Sequence, residues 1–247
     1  MNKKILKGIA LFDIHYPEHD SGCINIAYDF TCDFRPDVFI FGGDQLDLNC
    51  VSFYNHGKPK LIEGQRLSKE YEGFQKDILD RFNGVIKRGC KKYWFIGNHE
   101  YRITRFIESD PQFENLIEPE KRLNLKGYNI IPFNHVLTIG HMNFIHGIYY
   151  NKYHSFKHLV EYEDNIFYGH THSNQLFTKT SHLANLPKQG VGVGCLCNKN
   201  PHYKRNRPSN WVHQFMFFYI MPDGTFHYYL PIIIDNHVVI NGRVYTG

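Results

Sequence analysis

The sequence predicts an α/β fold in which helices cover a parallel or mixed sheet, and three observations predict it. Short, continuous apolar runs recur along the chain and suit strands buried on both faces. Apolar residues at helical spacing fill the gaps between those runs. The runs also keep ending on Asp, Asn or His beside a glycine. Alternating strands and helices build a sheet with helices packed on it. In such sheets ligands bind beyond the carboxyl ends of the strands.

Each element can be justified in order. Residues 5–12 are mostly apolar and end at Asp13-Ile14-His15. The lysines before them suggest the start of a secretory leader, but Lys7 interrupts the apolar part and Asp13 ends it, so a first strand is the better reading. Residues 21–34 place Cys23, Ala27, Phe30 and Phe34 on one helical face, and residues 38–41 form a second strand ending at Gly42-Gly43-Asp44. Residues 64–88 are the clearest helix. Leu67, Tyr71, Phe74, Ile78, Phe82 and Val85 recur at steps of three and four, and Gly89 follows as a helix-ending residue should. Residues 93–96 run into Gly97-Asn98-His99-Glu100, Phe144 and Ile145 into His146-Gly147, and residues 166–168 into Gly169-His170-Thr171-His172. In the last third, the aromatic and β-branched runs 211–221 and 226–234 are joined by Pro222-Asp223-Gly224, and 238–240 and 243–245 flank Asn241-Gly242. These are hairpin signals, and the hairpins of 211–247 are expected to complete a second sheet within one domain spanning 1–247.

Composition narrows the function. At 42% hydrophobic residues the chain can bury a sizeable core, and its net charge of +4 is too small for DNA binding by charge alone. The six cysteines form no CxxC pair, which disfavours a thiolate zinc site and suits reduced thiols in a cytoplasmic protein. Nothing approaches the roughly 18 apolar residues of a membrane span. Sixteen histidines are the outlier.

Five strand ends deliver Asp13, His15, Asp44, Asn98, His146, His170 and His172, all expected at one sheet edge. This mixture of oxygen and imidazole donors suits manganese, zinc or iron better than magnesium or calcium. Seven donors exceed one ion and match two ions sharing a carboxylate, roughly 3.5–4 Å apart. Gly42, Gly43, Gly97, Gly147 and Gly169 flank the donors and permit close backbone approach, or are ordinary turn residues.

In their order, DIH at 13–15, GGDQLD at 42–47, GNHE at 97–100, HG at 146–147 and GHTH at 169–172, the chain resembles the calcineurin-like metallophosphoesterases, nearest to their repair-exonuclease and phosphodiesterase branch. The resemblance covers about two-thirds of the chain and implies a four-layer α/β/β/α sandwich of two mixed sheets flanked by helices. It implies that Asp13, His15 and His172 hold one metal, that Asn98, His146 and His170 hold the other, and that Asp44 bridges them. His99 would protonate the leaving oxygen or steady the phosphoryl group. Asp47 would orient a ligand through a hydrogen bond, unless it merely caps a turn.

Other positions are candidates for substrate contact. Arg102 and Arg105 suit phosphate, or else form a solvated helix face. Tyr149, with Tyr150 and Tyr153, could stack on a base, or simply pack. His154 and His158 read as a surface pair on a helix, with a third metal site as the sharper alternative. The loop 201–211 interleaves Tyr203 and Trp211 with Lys204, Arg205 and Arg207, a pattern suited to nucleotide contact or to a solvated loop. The insert 48–63, with Tyr54, His56 and Lys58, is placed at a pocket rim. The expected activity is metal-dependent hydrolysis of phosphate esters, foremost as a phosphodiesterase or nuclease on nucleotides or DNA. The expected cofactor is two divalent ions, manganese first. A phosphomonoesterase, acting on nucleotides or phosphoproteins, and a non-catalytic sorting-complex scaffold are the competing readings.

Overall fold

Two apolar cores, one on each face of a central strand, decide the architecture. The computed structural model describes residues 4–55, 57–181, 186–201, 204 and 207–247. In chain order its elements are β1 (Leu6–Leu11), α1 (Ser21–Phe34), β2 (Val38–Phe41), α2 (Leu67–Phe74), α3 (Asp80–Val85), β3 (Lys91–Phe95), α4 (Tyr101–Ser109), α5 (Pro119–Arg122) and β4 (Tyr128–Ile131). They continue with β5 (Leu137–Ile139), β6 (Met142–Ile145), α6 (His154–Tyr162), β7 (Ile166–Tyr168), β8 (Gln175–Lys179), β9 (Lys188–Gly192), β10 (Met216–Ile220), β11 (Phe226–Tyr229), β12 (His237–Ile240) and β13 (Arg243–Thr246).

Among the described residues the first sheet has the order β11-β10-β1-β2-β3-β4, with β1 to β4 parallel and β10 and β11 added antiparallel. The second has the order β5-β6-β7-β9-β8, with β6, β7 and β9 parallel between antiparallel edges. Side chains alternate along each strand. Ile9, Leu11, Phe39 and Phe41 therefore join one cluster with Phe30, Phe74 and Phe82 of the helices. Ala10, Phe12, Val38 and Ile40 join another with Phe144, Phe167 and Val191 of the second sheet. Helix α6 covers the outer face of the second sheet, where Ile145, Ile166 and Tyr168 are buried. The result is an α/β/β/α sandwich of two mixed sheets. Each buried Phe contributes about 1.5–3 kcal/mol by leaving water, so the seam between the sheets is held by apolar packing and can carry a polar centre at its edge.

The structure corrects three expectations. The five donor-bearing strand ends do not share one sheet: β1, β2 and β3 belong to the first and β6 and β7 to the second. The C-terminal hairpins do not complete the second sheet. β10 pairs with β1 and extends the first sheet, because the edge of β1 offers unpaired backbone groups and the apolar face of β10 matches the intersheet core. β12 and β13 pair with each other and pack Tyr245 against Phe30 of α1. The helix expected over 64–88 is interrupted by a π-helical turn at Gln75–Leu79, which lets Ile78 and Leu79 both face the core. Among the described residues no helix is long and apolar enough to cross a membrane.

Candidate metal centre

The turns that leave the strands are strained in one way. Asp13, His15, Asp44, His170 and His172 all adopt left-handed backbone, with φ between 52° and 65°. For residues other than glycine this conformation costs of order 1 kcal/mol or more each, and such strain gathers where side chains must be aimed at a ligand. The neighbouring glycines leave no room for a side chain. A Cβ on Gly97 would lie 2.2 Å from Asp44 Oδ1, and one on Gly43, itself at φ +103°, would lie 2.3 Å from His146 Nδ1.

The aimed groups converge. His15 Nε2 lies 3.1 Å from His172 Nε2, 3.8 Å from Asp13 Oδ1 and 3.7 Å from Asp44 Oδ2. His146 Nε2 lies 3.3 Å from Asp44 Oδ2 and 2.9 Å from Asn98 Oδ1, which in turn is 2.7 Å from His170 Nδ1. Donor atoms about 2.1 Å from a common ion are roughly 3–3.4 Å apart. The second set lies at or just inside that spacing. In the first, His172 Nε2 has it to His15 Nε2 and Asp13 Oδ1, at 3.1 and 3.4 Å, while His15 stands 3.7–3.8 Å from the carboxylates. Asp44 Oδ2 belongs to each. The Oδ1 atom of Asp13 is buried with no hydrogen-bond partner among the described residues, while its Oδ2 accepts from the His170 N–H at 2.8 Å. A buried carboxylate oxygen left open beside two imidazoles is what a cation would satisfy, and the residues present therefore fit a divalent metal.

The histidines balance the charge of the buried carboxylates. Burial would push the Asp44 carboxyl up, but His146, His99 and His15 hold it well below the usual range. Burial likewise works against Asp13, and His172 holds it down. Burial would lower His146 and His172, but Asp44 and Asp13 raise them to about 9 and about 10. Burial and His146 push His170 down to about 4, and burial and His99 push His15 down. Cation binding must therefore displace protons.

His99 sits beside this set. Its Nδ1 donates to the Asp47 carbonyl at 2.8 Å, and its Nε2 accepts from the Arg102 guanidinium at 2.9 Å and faces Asp44 Oδ2 at 3.8 Å. Arg102 also donates to the Asp47 carbonyl at 2.6 Å and Asn49 Oδ1 at 3.2 Å, so it is no solvated helix residue. The Asp47 carboxylate lies 3.3 Å from His15 Nδ1 and 3.2 Å from His99 Nδ1. It orients these rings, and with burial opposed mainly by His15 and His99 it stays below the usual carboxylate range.

Sequence reasoning missed three neighbours. Buried Glu100 accepts from the backbone N–H groups of Asp44, Leu46 and Gly97 at 2.9–3.0 Å, and burial with the nearby Asp44 charge pushes it up to about 7. It is the last letter of GNHE, and its place beside the donors was the available signal. Cys197 Sγ lies 3.6 Å from His172 Nδ1; no spacing in the sequence foreshadows it. Trp211, singled out only as part of a basic loop, packs its ring 4.1 Å from that of His172, with Lys204 Nζ 3.7 Å above its own centroid.

The weaker candidates divide. Arg105 is exposed and borders a cavity outside the donor set. Tyr149 packs edge-on against His158, ring centroids 5.0 Å apart, rather than presenting a free face. His154 and His158 are not a surface pair. Both are buried: His154 is hydrogen-bonded to Tyr168 Oη at 2.6 Å, and His158 Nε2 accepts from Ile148 N at 3.2 Å. Helix α6 presents this face to the second sheet, which periodicity alone could not decide. Tyr203, Arg205 and His56 lie outside the described residues.

Fold and centre together define an α/β/β/α sandwich with clustered metal-ligand donors at the edge between its two sheets. No family model and no curated protein matches the sequence. Among solved structures, wild-type Vps29 from Entamoeba histolytica complexed with zinc aligns with a TM-score of 0.50 at 14% identity, over 95% of this chain and 96% of that one. Vps29 from Cryptosporidium parvum aligns at 0.47 and 14% identity, over 99% and 97%. A conserved uncharacterized protein from Streptococcus pneumoniae, described as a predicted phosphoesterase, aligns at 0.39 and 11%, over 99% of each chain. At this identity the likeness is one of fold.

Proposed function

We propose that this protein is a metal-dependent phosphoesterase with a dinuclear centre, acting as a phosphodiesterase on nucleotides or nucleic acid. The observation that carries the proposal is the meeting of two donor sets at Asp44 Oδ2. Asp13, His15, His172 and Asp44 would hold one divalent ion, and Asp44, Asn98, His146 and His170 the other. Manganese suits these donors first, with zinc or iron as alternatives. Bound there, such a pair supplies positive charge to the phosphoryl oxygens and makes water nucleophilic near neutral pH.

The chain's own groups do the rest. Hydrolysis breaks one P–O ester bond, joins the oxygen of water to phosphorus and delivers a proton to the leaving oxygen. His99 is the group placed to move that proton. Its Nε2 must carry it, and Arg102 now donates to that atom. Arg102 turning onto a substrate phosphate oxygen, for which its planar fork is suited, would release Nε2 for the leaving oxygen. Asp47 keeps the His99 ring in register. Six free thiols suit a cytoplasmic setting for this enzyme.

The test is hydrolysis of bis-p-nitrophenyl phosphate by protein reconstituted with Mn²⁺. We expect turnover, its loss with EDTA, and a fall of about 10²-fold or more for Asp44→Asn, the scale of removing one electrostatic stabiliser of a transition state. Full activity in EDTA or in the variant overturns the reading. The fold, shared with a zinc-complexed Vps29, does not itself require catalysis; the second reading, a non-catalytic scaffold, predicts no turnover of any phosphate ester.

A further inference from the structure

Hydrolysis at the centre uses none of the cations and rings on the segment that follows β2. Residues 49–65 contain three short 3₁₀ turns, Asn49–Val51, Phe53–Asn55 and Pro59–Leu61. They wall a cavity of about 470 Å³ whose other side is formed by Asp47 and His99. The cavity thus reaches the proton-moving histidine at the border of the metal centre, the side from which a leaving group departs. Tyr54 stands on its wall with 71% of its surface exposed. Lys58 Nζ donates to the Tyr54 backbone carbonyl at 2.8 Å, which tethers a cation to the residue that carries the ring. Arg102 and Arg207 line the same cavity, and Glu18 lies on it as an acidic neighbour.

Size and chemistry select the occupant. Cavities of about 300–1,000 Å³ hold small organic ligands. An accessible aromatic face attracts a base, whichever base it is. Cations beyond the one that contacts His99 are in place for an anion other than the phosphoryl group being hydrolysed.

We infer that this cavity is the leaving-group subsite and that it takes a nucleotide bearing a phosphate of its own. The base lies on Tyr54 and that second phosphate lies between Lys58 and Arg207. The inference rests on the proposed phosphoesterase activity and narrows it to diesters that join nucleotides.

Wild type, Tyr54→Ala, Tyr54→Trp and Lys58→Ala are compared with Mn²⁺ on three diesters. These are bis-p-nitrophenyl phosphate, the dinucleotide TpT, and the same dinucleotide with a phosphate at each end. The readout is the ratio of kcat/KM between substrates, which cancels any general loss of folded enzyme. Wild type should prefer the doubly phosphorylated dinucleotide to TpT by about ten-fold or more, and Lys58→Ala should erase most of that preference. Tyr54→Ala should lower both dinucleotides relative to the small diester by about ten-fold, the scale of one lost stacking contact, and Tyr54→Trp should restore them. Ratios unmoved by these variants overturn the subsite. No hydrolysis of bis-p-nitrophenyl phosphate by wild type overturns the phosphoesterase reading itself, and the subsite with it.

Discussion

Replacing Glu100 asks whether the centre is built by its backbone supports as much as by its donors. Glu100 Oε1 takes the N–H of Leu46 at 3.0 Å, and Oε2 takes those of Asp44 at 3.0 Å and Gly97 at 2.9 Å, all buried. Glutamine has one oxygen and one NH₂ group where glutamate has two oxygens. In either orientation at least one N–H then faces another donor. A buried donor left unsatisfied costs about 1–3 kcal/mol, so Glu100→Gln should remain folded but weaker by that amount. Glu100→Ala strands three donors, about 3–9 kcal/mol by the same count, against a typical total stability of about 5–15 kcal/mol. It should be largely unfolded, or folded with the turn around Asp44 released. Because the Asp44 and Gly97 amides set the positions of Asp44 and Asn98, Glu100→Gln should also weaken Mn²⁺ binding by about 10–100-fold. Urea denaturation of the metal-stripped protein, followed by tryptophan fluorescence, reads the first quantity, and calorimetric Mn²⁺ titration reads the second. Both belong near pH 8, above the value of about 7 to which Glu100 is raised. A Gln variant with wild-type stability and wild-type Mn²⁺ affinity would refute the reasoning.

Two further outcomes are expected. Cys197→Ala removes the sulfur beside His172 Nδ1; Mn²⁺ affinity should fall by about ten-fold or more while the denaturation midpoint of the metal-free protein barely moves, and unchanged affinity would show that the sulfur does not orient His172. Glu70 accepts from the Leu48 N–H at 2.7 Å, and burial pushes it up to about 8 from an ordinary 4.5. The folded chain keeps that proton when the unfolded chain has lost it, so stability is full below about pH 4.5 and falls between about 4.5 and 8, by at most about 1.4 kcal/mol per pH unit. Glu70→Gln, followed by denaturation across that range, should flatten this fall, and an unaltered pH profile would exclude Glu70 as its source.

Much of the candidate centre was legible because its donors sit within one to four residues of strand ends. Asp13, Asp44, Asn98, His146 and His170 each follow an apolar run within a few residues, and a run buried on both faces is recognisable without knowing its sheet. Arg102 was harder to read. On an amphipathic helix an arginine looks solvated, and its bonds to Asp47 and His99 depend on the turn after β2 folding back over α4. Tyr149, His154 and His158 went the other way, toward packing, because α6 lays its histidine face on the second sheet.

The chain by itself determined the strands that carry the donors and which donor types stand at their ends, because strand burial, helix periodicity and turn chemistry are local properties. Tertiary structure alone decided the division of the five strand ends between two sheets, the addition of β10 to the edge of β1, and the placing of Glu100, Cys197 and Trp211 against the donors. Those contacts join residues from 25 positions apart, for His172 and Cys197, to 214 apart, for Leu6 and Ile220. They follow from the packing of one sheet on another, a long-range apolar choice that short-range patterns do not encode.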